Sequence, residues 1–224
     1  KAIFMIKTMA IILSIGIFTF STSALSQDEL ATATSLQAEL KNQPNNPAKL
    51  SKLGLIYLKE LKYQQAIPYL ENSLKFNKGD YRAHFYLAVA YGAVGRHPEK
   101  LQALQETLRI NPNFAPANFK MGLAQAALNR HQVASEYYRR AIKSEPGNYD
   151  VHYFLSLSCL LSKRYLEALI AVRESLRLNP QNAEAQYMLG HIHMKLGQYK
   201  KAIQPLQSAI NLEPKFIQSM PTTR

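Results

Sequence analysis

Two histidines two positions apart, His191 and His193, are the first candidates for chemistry, because imidazoles bind metals and carry protons. On a helix, side chains two positions apart diverge, so this pair cannot grip one ion. The single cysteine, Cys159, excludes an intramolecular disulfide and a multi-cysteine metal site. The 15 acidic residues are scattered, and no pair is flanked by features that would raise a pKa. A Gly-rich phosphate loop, a Gly-x-Ser-x-Gly elbow and a His-Glu-x-x-His motif are all missing from the sequence. No catalytic residue, cofactor site or metal site is therefore predicted. What remains is non-covalent chemistry, carried by aromatic and apolar side chains that recur at a fixed interval.

That interval is set by Pro112, Pro146, Pro180 and Pro214, each 34 residues after the last. A period of this size marks stacked helical hairpins. Five units follow, at 47–80, 81–114, 115–148, 149–182 and 183–216, and their places repeat residue types. The seventh place holds Leu53, Leu87, Met121, Leu155 and Leu189. The eighth is always small: Gly54, Ala88, Gly122, Ser156 and Gly190. Large residues face these from the twenty-fourth place, as Leu70, Leu104, Tyr138, Val172 and Leu206. Large against small across two helices fills an interior without voids. The eleventh place contains Tyr57, Tyr91, Cys159 and His193, so Cys159 and His193 are predicted as core fillers. His97 and His131 share the seventeenth place with Tyr63, Tyr165 and Tyr199, which reads as a packing position.

The last unit runs Gln186-x2-Leu189-Gly190-x2-His193…Ala202-x3-Leu206…Pro214, and the first Leu50-x2-Leu53-Gly54-x2-Tyr57…Ala66-x3-Leu70. This pattern resembles the tetratricopeptide repeat family over 47–216. The resemblance implies an all-α fold, a right-handed α-solenoid of helix-turn-helix hairpins. Residues 27–46, with Leu30, Leu36 and Leu40 at helical spacing, are predicted as a half-repeat that caps the N-terminal end. Residues 217–224 are assigned as a tail. Two departures from the pattern stand out: Lys78 replaces a closing proline, and Lys100 occupies a tight place held elsewhere by alanine. Lys100 is expected to snorkel, leaving the second unit the least well packed. Pro68 and Pro205 fall early in second helices, where a slight bend is expected.

In this family the first helix of each hairpin lines the concave side, and its fifth, ninth, twelfth and thirteenth places are among those that meet the ligand. By that resemblance the candidate groove comprises Phe85, Val89, Phe119, Leu123, Tyr153, Leu157, Tyr187, His191 and Lys195. The fifth place is an aromatic ladder in four units, while the twelfth holds Leu58, Gly92, Ala126, Leu160 and Met194. Places five, nine and twelve share one helix face, and stacking them predicts an apolar channel for a helix or extended peptide. Packing of the same side chains between neighbouring units is the competing reading. The Lys and Asn that clamp a C-terminal carboxylate in some relatives stand at the fifth and ninth places in none of the five units.

Lys1 and Lys7 precede the uncharged run Met9–Phe20 and the small residues of 21–26, the three-part form of a secretory signal. Cleavage ahead of Gln27 is predicted, with an uncleaved membrane anchor over 8–25 as the alternative. The expected location is exported, periplasmic or secreted. A formal charge of +12 favours anionic partners, among them an acidic protein or an anionic envelope surface, although a solvated outer face explains it as well. Nucleic acid is not expected for an exported chain. The sequence therefore predicts a non-catalytic scaffold binding a protein or peptide in envelope assembly or secretion. The alternatives are a homo-oligomer built through the C-terminal end and an accessory subunit of an envelope enzyme.

Overall fold

The computed structural model describes residues 27–214; the signal segment 1–26, the alternative anchor 8–25, the end of the fifth unit and the tail 217–224 lie outside them. Among the described residues the fold is all-α, with eleven helices and no strand. After α1 (Gln27–Asn42) come five hairpins: α2 (Pro47–Lys59) with α3 (Tyr63–Phe76), α4 (Tyr81–Ala93) with α5 (His97–Ile110), α6 (Ala115–Ala127) with α7 (His131–Ser144), α8 (Tyr149–Leu161) with α9 (Tyr165–Leu178), and α10 (Ala183–Lys195) with α11 (Tyr199–Leu212). First helices have 13 residues and the second helices 14.

The local sequence explains these boundaries. Asn46, Asp80, Asn148 and Asn182 sit just before first helices, where each side-chain oxygen accepts a hydrogen bond from a backbone amide of the first turn. Phe114 takes that place before α6 and has no side-chain acceptor to offer. Its ring instead packs edge-on against Phe85 and Tyr81, with centroids 5.1 and 5.2 Å apart. Between the helices of every hairpin, one residue adopts a left-handed conformation: Leu61, Gly95, Asn129, Lys163 and Gly197, with φ of 59, 79, 58, 60 and 71°. Glycine and asparagine accept this geometry at little cost, whereas leucine and lysine are strained in it.

The predicted large-to-small packing is present. A Cβ on Gly54 would stand 2.6 Å from Leu70 Cγ, one on Gly190 2.6 Å from Leu206 Cγ, and one on Gly122 2.4 Å from Tyr138 Cε1. At the fourth eighth-place residue, Ser156 Oγ donates to the carbonyl of Ala168 at 2.9 Å. The twenty-seventh place is sealed, and its hydroxyls are paired. Ser73 Oγ donates to the Pro47 carbonyl (2.7 Å) and Ser175 Oγ to that of Tyr149 (2.9 Å), each tying a second helix to the start of its own first helix. Lys100 lies half-buried, and its stem passes 3.1 Å from where a Gly92 Cβ would be. The size order is therefore inverted in that hairpin: a large side chain at the twentieth place is matched by glycine at the twelfth. Burial holds the Lys100 amine below the usual lysine range.

The chain divides into two compact units, whose described parts are 27–117 and 118–214. In the first, Ala33, Leu36 and Leu40 of α1 pack against Leu50, Leu53 and Ile56 of α2, with Tyr57 and Tyr69 stacked beside them at 5.4 Å. The side chain of Leu30 lies outside those described. The opposite face of α1 is polar and exposed through Thr34, Ser35, Gln37 and Glu39. In the second unit, Phe119, Tyr138 and Phe154 form an aromatic triangle with centroids 5.6 to 6.3 Å apart.

Candidate functional site

The aromatic ladder is not equally open at every rung. In the first unit, Phe85 is 3% exposed, closed off by Phe114 and by Tyr86 at 6.1 Å; Val89 is half-buried. In the second, Phe119, Leu123, Tyr153, Tyr187 and His191 are half-buried, Leu157 is buried at 6% and Lys195 is exposed. An open channel along places five, nine and twelve is thus corrected at Phe85 and Leu157, which are consumed by packing between helices. The twelfth place is closed as well at Leu58, Ala126 and Leu160, half-open at Gly92, and exposed at Met194 (41%) on α10, the last described first helix.

What the second unit presents is therefore a half-open strip on α6, α8 and α10, aromatic at the fifth place and mixed at the ninth. Its electrostatics are graded. Asp150 and Glu184, both at the second place, are close enough that Glu184 adds to the effect of burial in holding the Asp150 carboxyl above its usual range. Burial, with these two carboxylates as lesser causes, also raises the Tyr153 phenol. The Tyr153 ring meets Phe154 edge-on at 5.4 Å, which fixes its direction. One turn into α10, Tyr187 stacks on His191 with centroids 6.1 Å apart and an interplanar angle of 28°. Desolvation raises the Tyr187 phenol, and the same cause, joined by the Lys195 charge, holds His191 below the usual histidine range. The strip runs from a carboxylate end to a cationic end with neutral aromatic rings between.

The two histidines occupy different surroundings. His193 is buried at 4% and its Nδ1 lies 2.8 Å from Gln198 Oε1, to which it donates. Sequence reasoning placed His193 in the core but missed Gln198, whose sixteenth place is basic in the other four units, as Lys62, Arg96, Arg130 and Arg164. Cys159 is fully buried, 3.9 Å from Ser135 Oγ, and burial raises its thiol pKa, the reverse of an activated nucleophile. Among the described residues no group of three His, Cys, Asp or Glu could hold a metal ion. The seventeenth place is only partly a packing position: Tyr63, His131 and Tyr165 are half-buried, whereas His97 is exposed and Tyr199 is 70% exposed. No helix among the described residues is long and apolar enough to cross a membrane.

Comparison with known proteins accords with this geometry. A sequence profile described as tetratricopeptide repeat matches residues 51–113 and 119–183, and a second profile of the same description matches 160–218. No curated protein matches the chain. Among solved structures, it is similar to YrrB, described as a TPR protein with an unusual peptide-binding site, at TM-score 0.76 and 15% identity over 84% of this chain and 96% of that one. It is similar also to MamA, at TM-score 0.68 and 18% identity over 81% of this chain and 99% of that one. A third similar structure is MamA from Desulfovibrio magneticus RS-1, at 0.68 and 16% over 76% and 97%. At these identities the likeness is one of fold.

Proposed function

Because the chain belongs to the tetratricopeptide repeat family, a family of binding scaffolds, we propose that it is a non-catalytic platform holding a peptide or protein segment on the first-helix strip of its second unit. The observation that carries this reading is the half-open aromatic strip Phe119, Tyr153 and Tyr187, graded from Asp150 and Glu184 to Lys195. Half-buried rings held by their neighbours lose little freedom on binding, which favours them as anchors. The charge gradient orients a segment, with its cationic residue toward Asp150 and Glu184. YrrB, whose fold is similar, is described as having a peptide-binding site, and this supports the class of ligand. On the pattern of residues 1–26 we place the work of this scaffold outside the cytoplasm, in envelope assembly or secretion. The test is affinity capture from an envelope extract with residues 27–224, against a Phe119→Ala, Tyr153→Ala, Tyr187→Ala variant. A partner held by the wild type and released by the variant supports the reading. Unchanged capture overturns it.

A second reading has its own observation. Ile203 at the twenty-first place is 68% exposed, while Ile67 and Ser135 at the same place are buried at 6% and 0%. With Tyr199 it leaves an apolar face on α11, suited to contact with a second copy or with an enzyme subunit. Ile203→Glu is expected to abolish any concentration-dependent rise in mass seen by light scattering. A mass constant over concentration for the wild type removes self-association.

A further inference from the structure

A second surface lies within the 118–214 unit, away from the strip. It is a groove of about 810 Å³ between α7 and α9, with α8 as its floor. The floor residues His152, Leu155 and Cys159 stand at the fourth, seventh and eleventh places of α8. Helical geometry turns those places roughly 130° away from the fifth, ninth and twelfth, so the groove and the strip use opposite faces of one helix. Ile142, Leu155, Ile170 and Ala171 make it apolar, and Ile170 is 71% exposed.

The rims are basic in matched rows. Arg139 and Lys143 on α7 occupy the twenty-fifth and twenty-ninth places, and Arg173 and Arg177 on α9 occupy the same two. At those places the other units carry Glu71 and Lys75, Gln105 and Arg109, and Gln207 and Asn211. Only the two helices that flank this groove are cationic at both. Two of the four cations are already answered: Arg139 pairs with Glu167 at 2.5 Å and Arg177 with Glu174 at 2.7 Å. Lys143 and Arg173 are exposed, with no ion pair among the described residues. Leu166 and Ile170 deepen the contrast, because the other units have polar residues or proline at those two places, and Leu166 is 66% exposed.

We infer that this groove docks an acidic amphipathic helix of a partner protein. Its apolar side chains would lie on Ile142, Leu155 and Ile170, and carboxylates four residues apart would meet the basic rows, whose own members are four apart. An exposed isoleucine between unpaired cations is unfavourable in water unless something covers it, and an acidic amphipathic helix satisfies both the apolar floor and the charged rim. The site is independent of the first-helix strip, so one scaffold can hold two partners.

The probe is a fluorescein-labelled synthetic helix with leucines on one face and glutamates flanking them, with a glutamine-for-glutamate version as control. Anisotropy titrations use the full chain without 1–26. The acidic peptide is expected to bind, to weaken as salt rises, and to bind at least about tenfold more weakly to Lys143→Glu, Arg173→Glu, all charges concerned being exposed. Ile170→Ser, which changes an exposed side chain, is expected to weaken it as well, while Tyr153→Ala, Tyr187→Ala leaves it unchanged. Loss in that last variant would move binding to the strip and overturn the groove proposal, leaving the strip reading intact. Equal binding of the glutamine peptide, or no effect of charge reversal, also overturns it. So does binding of phosphatidylglycerol vesicles without binding of the peptide, since that would make the basic rows a membrane-facing surface.

Discussion

The two compact units use the same hairpin and leave different surfaces behind. In 27–117 the fifth-place aromatic is closed in, and the eleventh-place tyrosines are held by partners. Phe85 is covered by Phe114, and Tyr57 stacks on Tyr69 while its hydroxyl accepts from Gln37 at 2.7 Å. Tyr91 donates to Glu71 at 2.5 Å with the Arg96 guanidinium 4.3 Å above its ring. In 118–214 the fifth-place aromatics Phe119, Tyr153 and Tyr187 remain half-open, and apolar side chains project from α9 and α11. A packing place that is satisfied within its own unit has no unmet need for a partner. The difference teaches that repeat identity fixes the fold, while binding surface arises wherever a repeat leaves a place unsatisfied.

The sharpest way to break this comparison is at the close approach both units share. Gly122→Ala puts a methyl 2.4 Å from the planar ring of Tyr138, whereas Gly54→Ala puts one 2.6 Å from Cγ of Leu70, a side chain equally buried but smaller and not planar. Gly122→Ala is expected to cost about 3 kcal/mol and Gly54→Ala about 1–2 kcal/mol in urea unfolding. Equal losses would mean that the Tyr138 ring relaxes as easily as Leu70, and that the second unit is not the more rigidly packed of the two. Binding gives the next largest contrast. Tyr153→Ala, Tyr187→Ala is expected to weaken partner capture about tenfold to a hundredfold, and Val89→Ala in the first unit by less than about twofold. A comparable loss from Val89→Ala would spread the site over both units.

Helix positions and the small-against-large packing were legible because they rest on residue types at a fixed interval: Gly54, Gly122 and Gly190 predict their large partners by place alone. The openness of each rung was not. Phe85 and Phe119 are the same residue at the same place, and only the neighbours decide that Phe114 closes one of them. Phe114 itself sits where other units carry a capping Asn or Asp, which was the available signal. The groove beside α9 was missed for a related reason. Its bases were counted only within the net charge of +12, and their significance lies in adjacency across α7 and α9, which appears only when the twenty-fifth and twenty-ninth places are compared unit by unit.

Alkaline pH separates the units through their buried phenols. The Tyr91 pKa is pushed up to about 12, by burial first and then by the Glu71 carboxylate that accepts its hydrogen bond. An unfolded tyrosine ionises near pH 10, so the folded state holds this proton more tightly. The resulting stability is fully present below pH 10 and is lost as pH rises through about 12. Tyr91→Phe is expected to cost about 1–2 kcal/mol at neutral pH, from the lost bond to a charged acceptor, and to flatten the loss between pH 10 and 12. An equally steep alkaline loss in Tyr91→Phe would assign the effect to other phenols, with Tyr153 of the second unit, whose pKa is also raised, as the next to test.

The smallest expected effect is the most even-handed probe of the comparison. Leu61 in the first unit and Lys163 in the second hold the same left-handed turn, with φ of 59 and 60°, and both side chains are exposed. Gly95 and Gly197 show that the same turn accepts glycine. Replacing either residue removes the clash of its Cβ with the backbone but also loosens the unfolded chain, so each change is expected to stabilise by about 0.5–1 kcal/mol. Because the turns are alike, the local gain is alike, and any inequality must come from how the units unfold. If the chain melts in one step, Leu61→Gly and Lys163→Gly raise the midpoint equally in urea followed by circular dichroism. If the units melt apart, each substitution moves only its own transition, which assigns the two transitions to their units, and the one at higher urea belongs to the more stable unit.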